Sequence, residues 1–451
     1  MSKNAILYAA IIIAVFLFPG CFGGQPEEEA SIDINISEEI KEMEGLQKQI
    51  KTQSTQLQKL QRDLKTKKAS TSGADSAEVK KLEKQIEVQQ KEIIVASKKV
   101  TTVKAEKGKY VWSMFRGIPS HDFYTGYNIL PPLDFKWKFK AISGFKASPV
   151  MDAENIYVGC MDNNFYAIEK STGQAVWKTP CQGGISSSAA LYGTTLYFGT
   201  ESGMFYALSA STGKIIWSKK IGIVQGSSPA IFSSVVYVGS MDNNIYAMDR
   251  KTGEIVWKYA TLMPVVSSPT VANGLVYIGS IDANMYALDA DSGKVAWQYA
   301  TGKGIASTAV ESEGVLYFGS DDKKIYAVDS LSGAVKWAFQ AEGWITSGVI
   351  KEGVFFAGSN DRNIYALNSS NGKLLWKTAV EGKVLTTPFA VNNILYMGAG
   401  KEVLALDSKT GEKKWSQKYE FNVVTSMIGE DGIVYFGDSD SSFYALESVA
   451  K

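Results

Sequence analysis

The sequence predicts an all-β architecture, an eight-bladed β-propeller with four antiparallel strands per blade, preceded by an α-helical coiled-coil hairpin. Three observations carry this. Trp137, Trp177, Trp217, Trp257, Trp297, Trp337, Trp376 and Trp415 recur at steps of 40 and then 39 residues. A fixed period near 40 marks a repeat architecture. A glycine stands four residues before every tryptophan but the first, from Gly173 and Gly213 to Gly411, and Tyr166, Tyr206, Tyr246, Tyr286, Tyr326 and Tyr365 stand eleven before, with Leu404 in the seventh repeat. Finally, the two ends of the repeat region complement each other. Tyr444–Glu447 is a third strand with no fourth after it, and Phe135–Phe139 is a fourth strand with no first three before it. Joined, they make the eighth blade and close the ring.

At the N-terminus, Lys3 precedes an apolar run from Ala5 to Phe18. Fourteen residues suit the hydrophobic region of a signal peptide and are short for a bilayer span. Residues 1–21 are therefore a signal peptide or membrane anchor. Gly20 before Cys21 resembles a prokaryotic lipobox, which implies that Cys21 becomes the lipidated first residue. An uncleaved anchor, or a plain signal peptide with an incidental cysteine, is the other reading. Either places the rest of the chain outside the cytoplasmic membrane. Residues 22–36 are acidic, poor in core formers, and read as a linker.

From 37 to 105 the pattern is heptad. Met43, Leu46, Ile50, Gln53, Leu57, Leu60 and Leu64 form one seam; Val79, Leu82, Ile86, Gln89, Ile93, Ala96, Val100 and Val103 form the second. A fold-back at Gly73 pairs Leu64 with Leu82, Leu60 with Ile86 and Leu46 with Val100, giving an antiparallel hairpin about 45 Å long. A broken rod that oligomerises through the same seams is the alternative. Such an arm serves as a spacer or as a dock for a partner helix. An opening segment, 106–134, leads to the propeller, 135–451.

Each period divides into four strands. In the stretch from 267 to 297 they are Ser267–Val271 (A), Leu275–Gly279 (B), Met285–Asp289 (C) and Lys294–Trp297 (D), separated by turns at Asn273-Gly274, Asp282–Asn284 and Ser292-Gly293. Four antiparallel strands per period make a propeller blade. The tryptophans, on the outermost strands, are read as docking residues between blades. Cys160 and Cys181 end strands B and D, roughly 9–10 Å apart by strand spacing, too far for a disulfide.

A net charge of +1 leaves no footprint for nucleic acid. Asp162, Asp242, Asp282, Asp322, Asp361 and Asp440 recur in the B–C turns. One aspartate per blade fits Asx-turn chemistry better than calcium. Serine and threonine pairs such as Ser227-Ser228, Ser267-Ser268 and Thr386-Thr387 line the innermost strands and fill a narrow polar channel; with no histidine beside them they do not read as nucleophiles. The D–A loops are read as carrying Tyr259, Tyr299, Phe339, Trp344, Tyr419 and Phe421, with Met263 and several lysines, outside the repeat pattern. Aromatics and cations on a rigid face suit a protein-binding patch, and packing against adjacent loops is the competing reading.

The motif Ala167-x-Glu169-x-x-Thr172-Gly173-x-x-x-Trp177, repeated as Ala247…Asp249…Thr252-Gly253…Trp257, resembles the tryptophan-docking motif of pyrroloquinoline-quinone (PQQ) repeat propellers. The opening Trp112-Ser113-Met114-Phe115-Arg116-Gly117 is similar to the W-x-x-F-R-G start of BamB-like members. The resemblance covers about 110–451. It implies one of two classes. Quinoprotein dehydrogenases bind PQQ and calcium, carry vicinal cysteines and have long loop insertions; this chain has no adjacent cysteines, and its 39–40-residue spacing leaves no room for insertions. BamB-like lipoproteins are non-catalytic scaffolds that help assemble outer-membrane β-barrels. The expectation is therefore a membrane-tethered, extracytoplasmic scaffold of the cell envelope with no catalytic residues, cofactor or metal. Its partners would be envelope proteins, including β-barrel assembly machinery. A module binding a carbohydrate or small ligand in the propeller channel is the alternative.

Overall fold

The computed structural model describes residues 77–105 and 128–449, together with selected helical positions between Gly45 and Lys67. Beyond Gly45 these belong to one compact unit, Leu46–Lys451. Cys21, the 22–36 linker and the Trp112–Gly117 motif lie outside the described residues.

Thirty-two strands form eight four-stranded antiparallel sheets among the described residues. Blade 4 shows the plan: Thr270–Ala272 (A), Leu275–Gly279 (B), Asn284–Asp289 (C) and Val295–Ala300 (D), paired in chain order. Strands B and C are almost wholly buried, whereas D alternates toward solvent. The reason is position: a central strand has a neighbouring blade on each face, so both of its faces select apolar side chains. Strand D extends three residues past Trp297, because pairing continues until Ala300 meets Asn284. It was expected to end at the tryptophan.

The eighth blade forms as the two half-blades require. Leu133–Lys140 pairs with Ser442–Ser448, followed by Ile433–Gly437 and Ile428–Glu430. Trp137 lies opposite Ala445, as Trp257 lies opposite Ala247. The chain also joins this blade earlier than residue 135. Ile129 is fully buried, and its carbonyl accepts from Tyr396 Oη at 3.3 Å. In blades 3 and 5 the equivalent tyrosines, Tyr237 and Tyr317, donate to Ala290 and Ser369 in the C–D turn of the next blade. Residues before the first strand thus replace a turn that blade 8 lacks.

Docking between blades is by one repeated contact. The indole Nε1 of Trp137, Trp177, Trp217, Trp257, Trp297, Trp337 and Trp376 each donates to a C–D turn carbonyl of the following blade, at 2.8–3.1 Å. The ring then lies flat on the turn glycine. At Gly293 (φ +67°) a Cβ would stand 2.7 Å from Trp257 Cδ2, so the position needs glycine both for its backbone conformation and for space. Trp415 has no such bond among the described residues, since its neighbour is the composite eighth blade. At the closing seam, Lys170 Nζ also bonds the Glu430 carboxylate from blade 8 to blade 1.

The described positions between Gly45 and Lys67 are helical, and a helix spans Ala77–Ala105. Gln53 Nε2 donates to Glu92 Oε2 at 3.2 Å, and Lys67 Nζ to Glu78 Oε2 at 2.6 Å. Leu57 and Ile93 are buried in one apolar cluster with Ala272, Leu275 and Leu331 of blades 4 and 5. Leu331 is buried there, while its counterparts Ser211, Lys251 and Asp291 in neighbouring C–D turns are exposed. The helical segment therefore rests on the propeller's own turns.

Candidate binding face and channel

Two features converge at one end of the propeller, where the D–A loops and B–C turns meet. The first is the set of turn aspartates. Asp162, Asp242, Asp282, Asp322 and Asp361 each accept the hydroxyl of the tyrosine four residues on, at 2.6–2.8 Å. Asp282 and Asp322 also accept the Leu262 and Gly302 amides of the preceding D–A loops. In blade 8 the part is taken by Asp438, not Asp440. Asp438 stands directly after the strand-B glycine, where other blades carry Ser240, Ser280 or Ser320, and its carboxylate accepts Tyr444 Oη and the amides of Asp440, Ser441 and Ser442. Burial would raise Asp162 and Asp361, but their hydrogen bonds outweigh it and hold both below the usual carboxylate value. These carboxylates brace loops.

The bracing positions the D–A loops, and the structure sorts the aromatics expected there. Tyr259, Tyr299, Phe339 and Tyr419 sit on or at the end of D strands, half-buried, with rings 5.0–5.8 Å from Tyr286, Tyr326, Tyr365 and Tyr444 of the next blade. Their environment is inter-blade packing, because the D strands run further than expected and turn these side chains inward. Tyr419 Oη is buried without a hydrogen-bond partner among the described residues, and burial pushes its pKa up. Phe421 is partly buried. Trp344 remains exposed, at 37%.

Within the loops that follow D strands, the solvent-facing apolar side chains are mostly others: Ile142 (86% exposed), Leu262 (82%), Ile223, Met263 and Leu385, joined by Trp344. Trp344 and Leu385 line the channel, and further exposed apolar residues such as Phe135, Val176 and Ile216 lie on the outer D strands. The signal of the loop residues was in the sequence. Ile142 and Leu262 occupy a repeat position filled elsewhere by Gln182, Gly222, Gly302, Glu342, Glu381 and Glu420. Polar or small residues suffice for that loop, so the apolar ones serve no repeat requirement.

The second feature is the channel, a cavity of about 320 Å³ lined by Lys146, Trp344, Leu385, Val424 and small residues including Ser148, Ser186, Ser188, Ser228 and Thr387. Each hydroxyl pair divides its work. One member stitches its own blade, as Ser267 Oγ does by donating to the Gly279 carbonyl at 2.7 Å and accepting its amide at 2.8 Å. The other joins blades. The amide of Ser148 donates to Ser188 Oγ, Ser188 to Ser228, Ser228 to Ser268, Ser268 to Thr308 and Thr308 to Ser347. Thr387 donates to Ser426, and Ser426 back to Ser148. Seven bonds of 2.8–3.3 Å run round the axis, with one gap between Ser347 and Thr387.

A quinone held beside a hard cation needs carboxylate or amide oxygens. The residues lining this cavity are hydroxyl-bearing or apolar, apart from Lys146. They do not fit that pair. Cys160 and Cys181 are both free thiols, each pushed up to about 12 by burial. No described helix is long and apolar enough to cross a membrane.

The family model described as outer membrane protein assembly factor BamB matches residues 61–225, 207–343 and 321–449. Among solved structures, BamB from Moraxella catarrhalis aligns with a TM-score of 0.63 at 18% identity, over 70% of this chain and 100% of its own. A quinohemoprotein alcohol dehydrogenase from Comamonas testosteroni aligns at 0.66 and 15%, over 80% and 85%. A europium-containing methanol dehydrogenase aligns at 0.67 and 15%, over 76% and 99%. At these identities the likeness is one of fold. No curated protein matches the chain.

Proposed function

The chain belongs to the family of outer membrane protein assembly factor BamB, and from that premise we propose that it is a non-catalytic scaffold tethered in the cell envelope, extracytoplasmic, and engaged in outer-membrane protein assembly. The observation that carries this reading is the set of exposed apolar side chains on the D–A loops, Ile142, Ile223, Leu262, Met263, Trp344 and Leu385, on a face stiffened by the aspartate–tyrosine braces. Exposed apolar clusters rimmed by polar residues mark protein-binding sites, and rigid loops lose little entropy on docking. Lipidation at Cys21 would hold the propeller at a membrane without a spanning helix.

The segments 37–105 act as an antiparallel coiled-coil hairpin. Two contacts support this: Gln53 with Glu92 and Lys67 with Glu78 have indices that add to the same value, as an antiparallel pair requires. The hairpin's described residues Leu57 and Ile93 dock on blades 4 and 5.

The test is co-purification from the native envelope, comparing wild type with an Ile142→Asp/Leu262→Asp double variant. Both side chains are exposed, so folding should change by no more than about 0.5 kcal/mol. Wild type should retain β-barrel assembly components and the variant should lose them. Equal retention would place the partner surface elsewhere.

A further inference from the structure

The gap in the hydroxyl chain falls where the sequence repeat is itself broken. Strand A of blade 6, Ile345–Lys351, has seven residues where the other blades use two or three. Its register slips between Ile345 and Gly348, and it follows Trp344, a tryptophan outside the period. Across the gap stands Thr387. It lines the channel and is 6% exposed, yet its Oγ1 makes no hydrogen bond among the described residues. Ser186 Oγ, also in the wall, is buried and unpaired. Ser148, Ser188 and Ser228 accept an amide each, and their own hydroxyl hydrogens have no acceptor among the described residues.

The wall therefore offers several hydroxyl hydrogens with no described acceptor, and no anionic acceptor competes for them. Lys146 is its single charged side chain, and no carboxylate lines the cavity. Convergent hydroxyl donors with one ammonium and no competing carboxylate select a guest that accepts hydrogen bonds and carries negative charge. We propose that the channel mouth binds a small anion, a carboxylate or a phosphate. Thr387 and the serine hydroxyls donate to it, and Lys146 supplies the countercharge at the rim. Trp344 and Leu385 narrow the opening. A cavity of about 320 Å³ suits a molecule of a few carbons. The anion and the protein partner of the outer face can fail separately.

The test uses isothermal titration calorimetry on the full chain with citrate, inorganic phosphate and glucose, at ionic strength held constant with sodium chloride. Citrate or phosphate should bind saturably and glucose should not. Thr387→Val removes a hydroxyl that bonds nothing among the described residues, so its melt should match wild type while anion affinity falls about tenfold or more. Lys146→Ala should weaken binding as well. No saturable heat with either anion overturns the assignment. So does glucose binding as tightly, or Thr387→Val binding as wild type does.

Discussion

Replacing Trp137 with alanine tests ring closure at its seam. The indole is 7% exposed, donates to the Lys170 carbonyl at 2.8 Å, lies on Gly173, and stacks within 5.8 Å of Tyr435 and 6.3 Å of Phe443. Truncation removes a buried ring and leaves a turn carbonyl unpaired. The cost should be about 3–5 kcal/mol, a range that already contains about 1 kcal/mol for the hydrogen bond. In a domain this large, about 2 °C is lost per kcal/mol, so the midpoint should fall by about 6–10 °C. Circular dichroism melts of Trp137→Ala, Trp415→Ala and wild type measure it. Trp415 is less buried and lacks the indole bond, so its variant should lose less. Limited proteolysis should find new cleavage near Asn128–Leu133 in Trp137→Ala only, where the seam opens. A Trp137→Ala melt within about 2 °C of wild type, or one no lower than that of Trp415→Ala, would show that this tryptophan does not hold the ring shut.

Gly293→Ala should destabilise by about 1–3 kcal/mol, since it forces both a left-handed backbone and a clash with Trp257; urea denaturation reads it. Because Asp162 and Asp361 titrate below the ordinary carboxylate value in the fold, their contribution is fully present above the unfolded value near 3.8 and is lost as pH falls through the folded one. The urea midpoint should hold level from neutral pH down to about 5 and drop below about 4, and Tyr365→Phe should flatten the drop. In the native protein Cys160 and Cys181 should resist Ellman's reagent at pH 8 and react only once unfolded. Leu57→Asp should free the helical segment from blades 4 and 5. Hydrogen exchange at Ser330–Ser332 should then quicken while the propeller melt stays put, and unchanged exchange would mean the contact is incidental.

Much of the fold could be read locally. The tryptophan period, the glycine four residues earlier and the apolar B and C runs are each set within one repeat, where turn conformation and strand alternation depend on near neighbours. Even the composite eighth blade followed from counting, because Phe135–Phe139 and Tyr444–Glu447 are recognisable halves of one motif. Three readings needed the assembled ring. Tyr259 and its counterparts looked like loop aromatics until pairing with strand C was seen to extend to Ala260 and its equivalents. Asp440 occupies the repeat position, yet Asp438, which stands where blade 4 has Ser280, takes the brace. The heptad arm carried no mark of its seat, since Leu331 is apolar in a turn whose other copies are polar and a single substitution does not name what covers it.

What the sequence alone determined is the unit and its number: each blade's strands, turns and docking tryptophan are specified by contacts a few residues apart. Only tertiary structure decided what lies between units. The hydroxyl chain joins residues 39 or 40 positions apart and closes across 278, so its single gap among the described residues, and the Thr387 hydroxyl beside it, exist only once eight copies meet around an axis. Burial of a side chain is a property of its neighbours in space, and in a closed ring half of those neighbours come from another repeat.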